Sequence, residues 1–179
     1  MDELLGDYVA FFNQQVSRLG DLGISVAGCR VSHLAFRTAT HDEYLSTRHL
    51  LEAYCSANVE NVWNERPISK ILLAQPLRLS ATHHCRMIEL IPPPHRAEYK
   101  MGLEHVGFAL DENFPGFERQ FRDAFTGRQF QTADCQPYYI RFADNTNVKF
   151  YVSTLLEYCV SEGRSFDGIY HVSAGTNAA

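Results

Sequence analysis

Hydrophobic positions along the chain alternate between a helical period and a period of two. Over 3–19, Leu5, Tyr8, Val9, Phe12, Val16 and Leu19 recur at helical spacing, which predicts an amphipathic helix with one face on a core. Gly20 and Gly23 mark its end. The period then shortens to two over 31–37, predicting a strand. Thr40, with Glu43 three residues on, is the signature of a capping box. It opens a helix to about 57 anchored by Tyr44, Leu45, Leu51 and Tyr54. Short strands follow near 59–63, 68–73 and 85–91, with His83 and His84 at a hairpin tip and facing solvent. Pro92, Pro93 and Pro94 then end the pairing, because proline has no N–H to offer a ladder.

The same order then recurs. A strand over 103–110 precedes a helix over 115–124, with Pro115 suited to its first turn. Strands follow near 130–133, 138–142 and 147–152, with Asp144-Asn145 turning the chain before the last. A closing helix over 154–162 ends at Gly163, and the small polar tail from Ala174 is expected to be disordered. The sequence itself echoes the repeat: Ser32-His33-Leu34-Ala35-Phe36 matches Glu104-His105-Val106-Gly107-Phe108 in pattern. The expected fold is therefore α+β, two tandem βαβββ modules around one cavity. The divisions are an N-terminal helix (1–23), modules over 24–94 and 95–153, and a C-terminal helix and tail (154–179), forming one compact domain overall.

Alternation assigns faces to these strands. Leu34 and Phe36 share one face of the first strand; His33, Ala35 and Arg37 share the other. In the second module Val106, Phe108 and Leu110 oppose His105, Gly107 and Ala109. Glu89 stands among Met87, Ile88, Leu90 and Ile91, where an ionised carboxylate is costly unless paired or bound to a cation. Its counterpart in the second module is Lys149. Two first strands and two last strands thus bring His, Glu, His and Lys to equivalent places, which points to one shared polar site.

Composition narrows the function. The net charge of −5 over 179 residues disfavours nucleic acid, which demands a basic face. No apolar run approaches the ~18 residues of a membrane span, and the acidic Met1-Asp2-Glu3 start is unlike a secretory leader. A cytoplasmic protein, monomer or homodimer, with a small-molecule ligand is expected. Cys29, Cys55, Cys85, Cys135 and Cys159 form no C-x-x-C pair, so they are read as reduced thiols.

Taken in order, Ser32-His33-Leu34-Ala35-Phe36-Arg37, Arg66-Pro67-Ile68, Ile88-Glu89-Leu90, Glu104-His105-Val106 and Val148-Lys149-Phe150 resemble the bacterial YecM family. That family has the vicinal-oxygen-chelate fold of glyoxalases and extradiol dioxygenases. The resemblance spans roughly 24–162. It implies that first and last strands supply ligands to one divalent cation, here His33, Glu89 and His105. Lys149 stands where a glyoxalase-like protein offers a fourth ligand, usually a carboxylate. Two histidines and one carboxylate suit a metal with open positions, such as Fe2+, Zn2+, Ni2+ or Mn2+.

The remaining polar residues on the site face take candidate roles. Arg37 and Lys149 are candidates to hold a negative group of the substrate, with Tyr139 and Arg141 on the neighbouring strand as weaker ones. Glu89 is the candidate proton carrier, and Tyr151 a hydrogen-bond donor or general acid. The leading expectation is a metal-dependent isomerase- or dioxygenase-like enzyme acting on a small, anionic, oxygen-rich substrate. Its rival is a metal-free binding protein holding a small anion with Arg37, Lys149 and the two histidines. A third reading is an interaction protein whose cavity has no chemistry.

Overall fold

The computed structural model describes residues 1–172; the tail from Ala174 lies outside them. Two helices open the chain, α1 (Asp2–Leu5) and α2 (Tyr8–Asp21). The single helix expected over 3–19 divides because Gly6 adopts φ 75° and Asp7 caps a new start, accepting from the Ala10 N–H at 2.8 Å. The first module follows as β1 (Arg30–Arg37), α3 (His41–Glu52), β2 (Cys55–Trp63), β3 (Arg66–Arg78) and β4 (His84–Ile91). The second contains β5 (Gly102–Ala109), α4 (Phe114–Gln120), β6 (Gly127–Arg128), β7 (Tyr138–Arg141) and β8 (Asn147–Tyr151). Helix α5 (Leu155–Ser161) and a short β9 (Ile169–Tyr170) follow.

All strands join one nine-stranded sheet in the order β6-β7-β8-β5-β1-β4-β3-β2-β9. Each module is a βαβββ unit, and the two meet where β1 runs antiparallel to β5. Their register is self-complementary: His33 faces Gly107, Leu34 faces Val106 and Ala35 faces His105. Exchanging 33 with 105 and 35 with 107 leaves these pairings unchanged, so a pseudo-two-fold passes between Leu34 and Val106. The parallel ladders obey it too, with Ala35 beside Glu89 and Gly107 beside Lys149.

One sheet face carries the core. Leu34, Ile88, Leu90, Val106, Phe108, Val148 and Phe150 pack there with Phe12, Leu19, Tyr44 and Leu51 of α2 and α3. The opposite face carries Met87, against which α5 packs Leu155 and Cys159. Thr154 caps α5 in a full capping box with Glu157, and Arg30 of β1 ties to the Glu157 carboxylate at 2.7 Å.

Three expectations are corrected. The strand over 130–133 is absent: Gln131 and Thr132 N–H groups both donate to the Cys135 carbonyl, at 3.0 and 3.1 Å, turning the chain there. The pairing partner of β7 is instead Gly127–Arg128. Helix α3 stops at Glu52, because Cys55 already pairs with Leu73. His83 is buried, its ring tilted against Phe12 and edge-on to Phe108, with its Nε2 3.2 Å from the Val26 carbonyl; of the pair, His84 faces solvent. The five cysteines are free thiols, and among the described residues no helix is long and apolar enough to cross a membrane.

Candidate metal centre

His33 of β1, His105 of β5 and Glu89 of β4 converge at the seam between modules. The two Nε2 atoms lie 3.0 Å apart, and Glu89 Oε2 lies 3.7 Å from one and 3.6 Å from the other. Both imidazoles are fully buried and Glu89 is nearly so. Ligands each ~2.1 Å from one ion can stand at most ~4.2 Å apart, and all three separations respect that bound. By chemistry and spacing, the donor set fits a divalent cation.

Each histidine is oriented through its other nitrogen by the residue just before it. The β1–β5 register steps over Ser32 on one strand and Glu104 on the other. Each is therefore an extra residue, a β-bulge, whose side chain joins that of the histidine that follows. Ser32 Oγ lies 2.9 Å from His33 Nδ1, and Glu104 Oε2 lies 2.6 Å from His105 Nδ1. Glu104 also accepts from Arg37 Nε at 3.0 Å and from the Asn147 amide. Such outer partners fix the tautomer and the aim of a ligating imidazole.

Electrostatics keep the donors ready. Burial pushes the His33 imidazolium down to about 3, more than the attraction of Glu89 restores. Burial and the Lys149 charge lower His105 as well. Both are neutral at pH 7. For Glu89, burial opposes ionisation, but His33, Lys70, His105 and Lys149 together outweigh it and hold its carboxyl at about 2. One proton arrangement satisfies the chain of contacts without a cation. The Leu155 N–H donates to Ser32 Oγ at 2.7 Å, Ser32 donates to His33 Nδ1, His33 Nε2–H donates to His105 Nε2, and His105 Nδ1–H donates to Glu104. A cation would take the two Nε2 lone pairs, with the His33 proton moving to Nδ1 and facing Ser32.

Gly107 is required by close approach. A Cβ there would stand 2.6 Å from His33 Cε1, 2.8 Å from its Nδ1 and 3.0 Å from the Tyr151 ring. The Tyr151 ring lies edge-on to His33, with centroids 5.4 Å apart. Its hydroxyl is buried without a hydrogen-bond partner among the described residues. Burial, with Glu89 nearby, pushes its pKa up.

The other expected residues distribute unevenly. Arg37 shares the site face, but its guanidinium is engaged by Glu104, by His95 Nδ1 at 3.2 Å and by the Tyr99 ring at 3.7 Å. Lys149 is buried and lines the pocket beside Glu89. Among the described residues it forms no ion pair; of the basic side chains, only the two imidazoles come within 4.0 Å of the Glu89 carboxylate. Tyr139 and Arg141 stand away from the metal centre, on the wall of an outer pocket. Ser32, Glu104 and Arg66 stand in the sequence motifs without a site role, and Lys70 stands in none of them. The signal for the first two was present, since each precedes its histidine in the repeat, but strict alternation sends neighbours to opposite faces and hides a bulge.

Paired βαβββ units, joined edge to edge with donors from equivalent strands at the seam, define a vicinal-oxygen-chelate fold. The chain belongs to the YecM family: the family model described as YecM protein matches residues 1–154. No curated protein matches the sequence. Among solved structures, the structural-genomics protein EC4020 superposes with a TM-score of 0.74 at 18% identity, over 90% of this chain and 92% of that one. The 2,2',3-trihydroxybiphenyl 1,2-dioxygenase of Sphingomonas wittichii strain RW1 gives 0.42 at 17% identity, over 70% of this chain and 41% of that enzyme. The fosfomycin resistance protein FosX of Mesorhizobium loti gives 0.25 at 15%, over 71% and 94%.

Proposed function

We propose that this protein is a metal-dependent enzyme of the vicinal-oxygen-chelate class acting on a small, anionic, oxygen-rich substrate. The observation that carries this is the convergence of two buried imidazole Nε2 atoms and one carboxylate oxygen within 3.7 Å of one another. His33, His105 and Glu89 would hold Fe2+, Mn2+, Ni2+ or Zn2+, leaving positions free for substrate. Such a cation supplies Lewis acidity toward adjacent substrate oxygens, and in the case of iron access to oxygen chemistry.

The chain's own groups divide the remaining work. Glu104 and Ser32 hold the imidazoles in aim. Lys149, cationic and unpaired among the described residues, holds a negative group of the substrate. Tyr151 keeps its proton at neutral pH and donates a hydrogen bond to charge that develops on a substrate oxygen. Arg37 acts at one remove, by positioning Glu104. Isomerase-like and dioxygenase-like chemistry both fit this arrangement.

A metal-free anion-binding role is the second reading, and the hydrogen-bond chain that closes without a cation favours it. Equilibrium dialysis separates the two. The parent should take up about one divalent ion per chain with Kd below micromolar, and H33A, H105A and E89Q should each lose that uptake. Uptake that is absent in the parent, or unchanged in all three variants, rejects the enzyme reading.

A further inference from the structure

Beside the metal centre lies a narrow inner pocket of about 80 Å³. A wider vestibule of about 310 Å³ adjoins it, and the two share Arg37, Arg66 and Lys149 on their walls. The vestibule wall carries six cations, Arg37, Arg66, Arg96, Arg128, Arg141 and Lys149, and among the described residues no aspartate or glutamate. In a chain of net charge −5, this concentration of one sign runs against the overall balance and focuses a positive field on one cavity.

Of the six, only Arg37 is paired with a carboxylate among the described residues, that of Glu104. Arg66 donates to the Pro92 and Pro94 carbonyls, Arg128 to the Gln136 carbonyl, and Arg141 to the Glu98 carbonyl and the Asn145 side chain. These neutral acceptors fix the guanidiniums in place and leave their charge uncompensated. A second observation points the same way: Arg66 is 7% exposed, and its Nε is buried with no hydrogen-bond partner among the described residues. Arg66 lines both cavities, so a largely desolvated cation stands at their walls, where an anion gains most from it.

We infer that the vestibule binds a phosphate-bearing small molecule, its polyanionic group held by Arg66, Arg96, Arg128, Arg141 and Lys149. One carboxylate neutralises one cation and occupies one guanidinium fork. Five cations with no carboxylate in ion-pair contact among the described residues, around one small cavity, call for a group with several terminal oxygens and several charges, and the guanidinium fork matches phosphate oxygens in pairs. Nucleic acid fits less well, because the chain's net charge is −5 and one aromatic face it would stack on, that of Tyr99, already lies beneath Arg37 at 3.7 Å with Arg141 at 5.8 Å. The inference does not depend on the metal.

The test is calorimetric titration of chelator-treated full-length protein, so that no metal competes, with tripolyphosphate, citrate and a single-stranded oligonucleotide. Tripolyphosphate should bind saturably and more tightly than citrate, and weaken as salt is raised. Arg96 and Arg128 are exposed, so R96Q and R128Q should fold normally; each should weaken tripolyphosphate about tenfold. R122Q, which removes a cation already paired with Glu118, should bind as the parent does. No tripolyphosphate binding at millimolar concentration, equal binding of citrate, or unchanged binding by both R96Q and R128Q overturns the inference. An oligonucleotide that binds tightly where tripolyphosphate does not would overturn it in favour of a nucleic-acid surface.

Discussion

Three residues set the behaviour of the site without touching a bound ion. Glu104 is fully buried and receives hydrogen bonds from His105, Arg37 and Asn147. E104Q keeps an acceptor but loses the charge that orients and enriches the imidazole. Metal affinity should fall by about 10–100-fold in competition with a chelator, with the fold retained. Arg37 and Lys149 make a sharper contrast. R37M removes the one arginine ion-paired with this buried carboxylate, so denaturant unfolding should report a loss of about 3–5 kcal/mol. Lys149 has no such partner among the described residues, so K149M should spare stability well beyond that range. It should also raise metal affinity, since a like charge leaves the neighbourhood of the cation. A large stability loss in K149M would mean that its ammonium is paired with Glu89 in solution.

At the scale of elements, first strands, last strands and the order of each module were legible from alternation, from the prolines at 92–94 and from the Ser-His and Glu-His echo. The equivalence of Glu89 and Lys149 was legible too, and the ladders reproduce it as Ala35 beside Glu89 and Gly107 beside Lys149. What escaped was decided by contacts distant in sequence. The bulges at Ser32 and Glu104 arise from β1–β5 pairing, which no local period encodes. His83 is drawn inward by Phe12 and Phe108, and β9 exists only because Asn58 and Val59 offer it an edge. Helix α5 links element to site, since its Leu155 N–H donates to Ser32. T154A removes the cap that starts this helix, and unfolding should report a cost of about 0.5–2 kcal/mol. The variant should also bind metal more weakly than the parent, because His33 loses a firmly held partner.

For the molecule as a whole, the pseudo-two-fold explains why one site serves two modules. Each contributes a histidine from its first strand, and the last strands contribute unlike partners, Glu89 and Lys149. The seam is thus symmetric in its backbone and asymmetric in charge, with the cation-rich vestibule adjoining it. Because the ligands come from both modules, a bound ion ties them together. Metal at a hundredfold over its Kd should raise unfolding free energy by about 2.7 kcal/mol, and E89Q should show no such gain. The most direct measurement is anomalous X-ray diffraction from crystals of the parent soaked in Mn2+. A single strong peak is expected within ~2.0–2.2 Å of His33 Nε2, His105 Nε2 and a Glu89 carboxylate oxygen. A strong peak elsewhere with this position empty, or imidazoles still hydrogen-bonded to each other at saturating metal, would contradict it.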